Sequence, residues 1–160
     1  MLKVTGLVWG LKESFRNYVE ATGGVIATEQ GAERSADGSI AFTPKAGEEL
    51  RLDGRGKPQG QGSFSGSVKF QSHGGMLSIH LADPTIEVSD TGASLTVAVE
   101  GGSHRLEIAR LDLSAISQGE ANDMLIPAAL SMDAYQLLDS QYPPGTVLDP
   151  VRLICASIES

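Results

Sequence analysis

Apolar and polar residues alternate along most of the chain from residue 64 to residue 111. Alternation with a period of two is typical of β-strands that bury one face. The apolar members of the successive runs are Phe64, Val68 and Phe70; Leu77, Ile79 and Leu81; Ile86 and Val88; Leu95, Val97 and Val99; and Leu106 and Ile108. The phase slips between Ile108 and Leu111, which predicts a β-bulge there.

The first twenty residues predict a short strand followed by a short helix. Leu11, Phe15, Tyr18 and Val19 recur at helical spacing, with charged and polar residues between them. The two glycines at 23–24 end this helix, because glycine readily adopts the left-handed conformation of a C-terminal cap. Tyr18 therefore lies on the apolar helix face, where a tyrosine normally buries its ring and leaves its hydroxyl near solvent.

The other segments complete a mainly β chain. Residues 25–30 and 39–43 predict two strands that form a hairpin around the turn at 36–38. Residues 44–61 show no periodicity and are interpreted as a long loop, Ser131 precedes a second short helix, and residues 151–158 predict a last strand. The expectation is one domain over residues 1–160, an antiparallel β-sandwich or barrel-like fold with two short helices.

Charge excludes several partners. Twelve Lys and Arg against twenty Asp and Glu give a net charge of −8, and no basic cluster interrupts it. A nucleic-acid-binding protein or one that binds an anionic membrane surface needs a concentrated cationic face. No apolar run approaches the length of a transmembrane helix, and the first residues lack the features of a signal peptide. Either the protein stays inside the cell, or the segment is a mature or excised domain of an exported protein.

Catalytic signatures are not found. Phe64 stands where the nucleophile elbow Gly-x-Ser-x-Gly has its serine, and the glycines at 54 and 56 lack the spacing of a phosphate-binding loop. Cys155 is the single cysteine, which excludes an intrachain disulfide and a cysteine-based metal site and predicts a buried side chain. The sequence therefore favours a function other than catalysis.

Three histidines remain as candidates for a site. His104 is predicted on a turn and exposed, and His80 lies on the polar face of its strand, either exposed, which is favoured, or facing a pocket. His73 lies at a strand end beside glycines that permit close approach to the backbone. Taken alone, each of these histidines is more often structural than functional.

Several segments, in order along the chain, resemble the HtaA domain, the haem-binding module of actinobacterial haem-uptake proteins. The resemblance extends over nearly the whole chain and is carried by the ordered set more than by any one piece. Those segments are WGLKESFRNY at 9–18, GA at 31–32, DGSIAF at 37–42, GSVKFQSHGGML at 66–77, DP at 83–84, LDL at 111–113, YPPG at 142–145 and LDP at 148–150.

The resemblance implies a mostly β domain that holds ferric haem through a tyrosine. Tyr18 occupies the position of the axial ligand to the iron, and His73 that of its hydrogen-bonding partner. A phenolate is a hard oxygen donor that suits ferric iron, and tyrosine is an established haem ligand. Phe15, on the same helix face, either flanks the porphyrin or packs in the core, and Tyr142 is interpreted as structural.

Three functions are weighed on this basis. The first is a haem-binding module for haem uptake, transfer or storage, whose partners would include haem-carrier or transporter proteins and, where bound haem is left uncovered, a second copy of the chain. The second is a module without haem that binds a protein or glycan through residues 44–61. The third, an enzyme, is least favoured because no distal acid–base set for peroxide chemistry is found. Members of the family are mostly exported or at the cell surface. The resemblance therefore supports a haem-binding role for this chain better than it supports a location.

Overall fold

The computed structural model of the chain describes residues 2–99, 104–135, 137–138 and 142–157. These residues form mostly β-strands, together with the α-helix α1 (Glu13–Ala21). The strands are β1 (Leu2–Trp9), β2 (Val25–Glu29), β3 (Glu33–Arg34), β4 (Ile40–Pro44), β5 (Arg51–Leu52), β6 (Pro58–Gln59), β7 (Gln61–Ser65), β8 (Ser67–Ser72), β9 (Leu77–Ser89), β10 (Gly92–Val99), β11 (His104–Leu111), β12 (Ser117–Gln118), β13 (Met124–Leu130) and β14 (Val147–Ser157).

Eight of these strands close into an antiparallel barrel. Around its wall the order is β9, β10, β11, β13, β14, β1, β4 and β7, and β7 pairs with β9 again. Closure leaves no free edge in this part of the sheet. The mainly β prediction is confirmed, and of its two alternatives the structure has the barrel.

The barrel wall continues into a three-stranded extension. Residues 77–82 of β9 pair with β8, residues 85–87 pair with β7, and β8 pairs on its other side with β2. We call β2, β8 and residues 77–82 of β9 the extension. β7 and β8 separate at Gly66, which has φ +135° and where a Cβ would lie 2.7 Å from the Cβ of Ala32. Only glycine fits this position, so Gly66 determines where the extension begins.

The interior of the barrel is filled by apolar side chains. Phe64, Ile86, Leu95 and Ile126, which lie on strands of the barrel wall, are completely buried. The void lined by Trp9, Phe42, Phe70 and Val97 measures only about 10 Å³, about the least that a single water molecule needs. A ligand the size of a cofactor therefore has no room at this place.

Helix α1 covers one face of the extension. Phe15 and Val19 are buried, and the Phe15 ring meets Phe70 of β8 edge-on, with the ring centroids 5.5 Å apart. The sequence leaves Phe15 between porphyrin contact and core packing, and here it is 2% exposed and belongs to the core. Tyr142 packs on the other side of it, with the ring centroids 6.3 Å apart.

The predicted hairpin between residues 25–30 and 39–43 is wrong. β2 pairs with β8, and β4 pairs with β1, β7 and the two-residue strand β3. The turn at Gly38, with φ +92°, does form a hairpin, but its first strand is β3. Alternation identifies a strand but not its partner, and β2 fits β8 because Ile26 lies beside Phe70 on the face that α1 covers.

Three further predictions are tested by the described residues. The β-bulge is confirmed at Ile108, because Leu95 pairs with Ala109 and Thr96 with Glu107. Residues 44–61 are not one loop, since β5 and β6 pair within them. After Ser131 the structure has a 3-10 turn, Met132–Ala134, in place of the start of a helix, and residues 136 and 139–141 of the predicted helix lie outside the described residues. The predicted turn at 101–102 and Ile158 also lie outside them.

Candidate functional site

The two residues singled out by the sequence, Tyr18 and His73, are in direct contact. The phenolic oxygen of Tyr18 lies 2.7 Å from Nε2 of His73, and the ring centroids are 5.8 Å apart at an angle of 52°. The distance is that of a strong hydrogen bond. Fifty-five residues separate the two along the chain, so the fold alone brings them together.

Tyr18 is presented outward by a helix that is otherwise held tightly. Phe15, Arg16 and Val19 are buried, whereas the Tyr18 side chain is 38% exposed. The sequence places Tyr18 on the apolar face with its ring buried and its hydroxyl near solvent, and the structure shows the residue more exposed than that. The hydroxyl is therefore held in place and can still be reached from outside.

An ion pair fixes the first turn of the same helix. Arg16 is 4% exposed and donates to Oδ2 of Asp149 at 2.6 Å and to the carbonyl of Gly10 at 2.8 Å. The other carboxylate oxygen of Asp149 accepts from the backbone N–H of Glu13 at 3.0 Å, which supplies the cap that Lys12 does not provide. Asp149 of β14 thus positions α1, and the sequence analysis missed both Arg16 and Asp149. A charged residue among other polar residues carries no signal that it is buried.

His73 lies in a turn of unusual backbone conformation. His73, Gly74 and Gly75 have φ values of +55°, +67° and +96°. A Cβ at either glycine would meet no atom of the described chain within 4 Å, so it is the left-handed conformation that requires glycine here. A left-handed conformation is unfavourable for a residue with a Cβ and is found preferentially at functional sites. The turn holds the imidazole against Tyr18.

A second bridge joins the two segments through their hydroxyl groups. Thr22 Oγ1 lies 2.5 Å from Ser72 Oγ and 2.9 Å from the carbonyl oxygen of Tyr18. Ser72 is 4% exposed and directly precedes His73. Ser72 can therefore donate to Thr22 while Thr22 donates to the carbonyl of Tyr18. Tyr18 and His73 are thus held together by two connections, the hydrogen bond between their own side chains and the bridge between Thr22 and Ser72.

We expect Thr22→Val to lower the free energy of unfolding by about 1 kcal/mol, because the buried Ser72 hydroxyl loses its partner. Urea denaturation measures the change. Thr28→Val is the matched control, since Thr28 has no side-chain hydrogen bond among the described residues. Equal stabilities for the two variants would show that the bridge does not hold the segments.

The remaining candidates from the sequence lie elsewhere. His104 is exposed as predicted, whereas His80 is half-buried and lines a surface concavity, contrary to the exposure that the sequence favoured. Cys155 is 7% exposed, as predicted, and burial raises the pKa of its thiol, with the nearby Asp123 carboxylate raising it further. The glycines at 54 and 56 lie in the turn that joins β5 and β6, which agrees with a structural role.

Neither a clustered metal site nor a membrane-spanning helix is found in the described parts of the chain. No group of three or more His, Cys, Asp or Glu side chains is arranged there to hold a metal ion. None of the helices in those parts has the length and apolar character needed to cross a membrane. The Tyr18–His73 pair, which the fold brings into direct contact, is the candidate site.

Comparison with known families and structures identifies the family of the chain. The model of the HtaA family matches residues 5–154, which includes both Tyr18 and His73. The chain belongs to the HtaA family. Comparison with curated proteins gives no match.

Solved structures of HtaA domains have the same fold. The C-terminal domain of HtaA from Corynebacterium glutamicum is 26% identical, with 95% of this chain and 96% of that one covered and a TM-score of 0.71. Its N-terminal domain is 22% identical, covers 97% and 99% of the two chains and also has a TM-score of 0.71. The haem-binding protein HtaB from the same organism is 17% identical, with 98% and 94% covered and a TM-score of 0.68.

Proposed function

We propose that this HtaA-family domain binds haem through the phenolic oxygen of Tyr18, with His73 as the hydrogen-bonding partner of that oxygen. The distance of 2.7 Å between the two side chains is the observation that carries the proposal. Family membership supports a haem-binding role, and HtaA domains are haem-binding modules and not enzymes. The role is therefore carriage of haem, for uptake, transfer or storage, without catalysis.

The residues at the site fit this group. Tyr18 offers an oxygen donor at the surface, where a flat macrocycle can reach it, and an anionic oxygen suits ferric iron. The apolar side chain of Met76, 92% exposed, follows the His73 turn directly. Bound haem would supply a ferric centre that accepts the oxygen donor as its axial ligand.

His73 would control the donor strength of Tyr18. Coordination requires that the Tyr18 phenol lose its proton. Nε2 of His73 is close enough to take it, and the proton on Nδ1 of the exposed imidazole then leaves to solvent, so that a neutral imidazole with its proton on Nε2 remains. A hydrogen bond from the imidazole then orients the phenolate and tunes its basicity, as outer partners of metal ligands do. A fully protonated imidazole would weaken the donor, which favours release of haem to the next carrier.

The test is titration of the haem-free protein with haemin, followed by absorption and resonance Raman spectroscopy. We expect one equivalent to bind with an iron–tyrosinate spectrum. His73→Ala should keep that ligand but lose affinity by about 10- to 100-fold, the usual cost of removing an outer partner. No spectral change at stoichiometric haemin would refute the proposal and favour an interaction module that has the fold without haem.

A further inference from the structure

The face of the extension that points away from α1 carries a second set of polar side chains. Phe70 faces α1, so its strand neighbour Lys69 points to the opposite side of the sheet. His80 of β9 pairs directly with Lys69, and Ala27 of β2 pairs with Lys69 on its other side. These three residues form one row across the extension. Tyr18, on α1, belongs to the other face.

This row forms the floor of a surface concavity of about 530 Å³. Glu29, Ser67 and Ser78 add polar groups to its lining, and Leu137 adds an apolar side chain from the segment that follows the 3-10 turn at 132–134. A concavity with a few polar groups and an apolar side is the usual form of a small-molecule site. Its volume is sufficient for a ligand of several non-hydrogen atoms.

His80 is incompletely satisfied in this concavity. Its Nδ1 is buried and has no hydrogen-bonding partner, and it is the one such side-chain atom in the described residues. Buried polar atoms in native proteins nearly always have a partner, and each exception calls for an explanation such as a bound group. An acceptor atom in the concavity would provide what Nδ1–H lacks.

The charges around His80 indicate the kind of acceptor. In the described part of the chain, the Lys69 side chain makes neither an ion pair nor a hydrogen bond, although Lys69 lies directly opposite His80. Glu29 lies on β2 two residues beyond Ala27, diagonal to Lys69. Lys69 brings one positive charge, and the buried Nδ1 of His80 can donate one hydrogen bond. These groups match a ligand with a single negative charge better than a dianion, because the Glu29 carboxylate opposes further negative charge.

We propose that this concavity binds a small monocarboxylate. The carboxylate would accept hydrogen bonds from Lys69 Nζ and His80 Nδ1, and its alkyl group would lie against Leu137 and Ala27. The shared chemistry is a carboxylate on a short alkyl chain, whether from a free organic acid or from a propionate of haem. Because α1 and the concavity lie on opposite faces of the extension, we expect the free acid.

The experiment is a titration of the isotope-labelled, haem-free protein with sodium propionate, followed by NMR. We expect saturable shifts of the His80 ring and of the amides around residue 69, with an affinity at least tenfold weaker in Lys69→Gln, since hydrogen bonds to charged groups are worth at least that factor. Lys69 is exposed, so this variant should fold. Lys3→Gln, which removes another exposed strand lysine, should bind as the wild type does.

Two further arms separate the sources of the carboxylate. Unchanged propionate binding in Tyr18→Phe and in the haem-loaded protein would support a free acid at a site independent of the haem proposal. Loss of propionate binding only when haem is loaded would support the same site with a haem propionate as its ligand. Shifts that do not saturate, equal affinity in Lys69→Gln, or equally tight binding of inorganic phosphate would overturn the proposal.

Discussion

Replacing Tyr18 with phenylalanine should weaken haem binding at least about a hundredfold and abolish the iron–tyrosinate spectrum. The substitution removes one atom, the phenolic oxygen that lies 2.7 Å from Nε2 of His73. Loss of an outer partner of a metal ligand costs about 10- to 100-fold, and loss of the ligand itself should cost at least the upper value. Competition for haemin with an apo-protein of known affinity measures the change.

The variant should keep its fold, which makes this result interpretable. The ring of Tyr18 remains in the variant. The lost hydroxyl is hydrogen-bonded to His73, and because both residues are exposed, its removal leaves no buried polar group without a partner. Tyr135→Phe is the matched control, because it removes another phenolic hydroxyl. Wild-type affinity and spectrum in Tyr18→Phe would exclude Tyr18 as the ligand.

Replacing Asp149 with alanine should destabilise the protein by about 3 kcal/mol. Arg16 is 4% exposed and pairs with Asp149 at 2.6 Å, so the substitution leaves a buried guanidinium without its counter-ion. Removing one partner of a buried ion pair typically costs about 3–5 kcal/mol, and the lower end applies because Asp149 is 28% exposed. The backbone N–H of Glu13 at the start of α1 also loses its acceptor.

Urea denaturation of Asp149→Ala and of Glu20→Gln side by side measures this effect. Glu20 pairs with Arg34 at 3.0 Å, but both side chains are largely in solvent, so its removal should change the midpoint little. Hydrogen exchange of the α1 amides should rise in Asp149→Ala and not in the control. Similar midpoints for the two variants would show that Asp149 does not hold the helix.

Both substitutions affect helix α1, Tyr18→Phe at the proposed ligand and Asp149→Ala at the ion pair that holds the helix. Tyr18 is the proposed haem ligand, whereas Asp149 and Arg16 hold the helix that carries Tyr18 against the barrel. The bridge between Thr22 and Ser72 does the same at the other end of α1, beside the His73 turn. A helix of nine residues is too short to be stable alone, so these tertiary contacts maintain it.

Local patterns identified most of the main strands and helix α1, and the two site residues were singled out by the family resemblance. Alternation predicted the strands from 64 to 111 because a half-buried strand must change face at every residue. Helical spacing placed Tyr18 on α1, and the glycines after His73 marked the end of β8. The resemblance to the HtaA domain implied that Tyr18 and His73 are hydrogen-bonding partners. Membership of that family is confirmed by the match over residues 5–154.

Strand pairing was decided by the tertiary structure. Residues 25–30 were expected beside residues 39–43, but β2 lies beside β8, more than forty positions later in the chain. Backbone hydrogen-bonding groups are the same in every strand, so the partner depends on which side chains pack together over the whole sheet. Ile26 gains Phe70 and the cover of α1 in this arrangement.

The sequence by itself therefore determined a mainly β chain with one tyrosine and one histidine as the residues to test. Only the tertiary structure decided that the sheet closes into a barrel, that Arg16 is buried against Asp149, and that His80 faces a concavity with Lys69. Each of these depends on contacts between residues far apart in the chain. A local pattern reports which face of an element is apolar, whereas the neighbour of that face is chosen by the packing of the whole molecule.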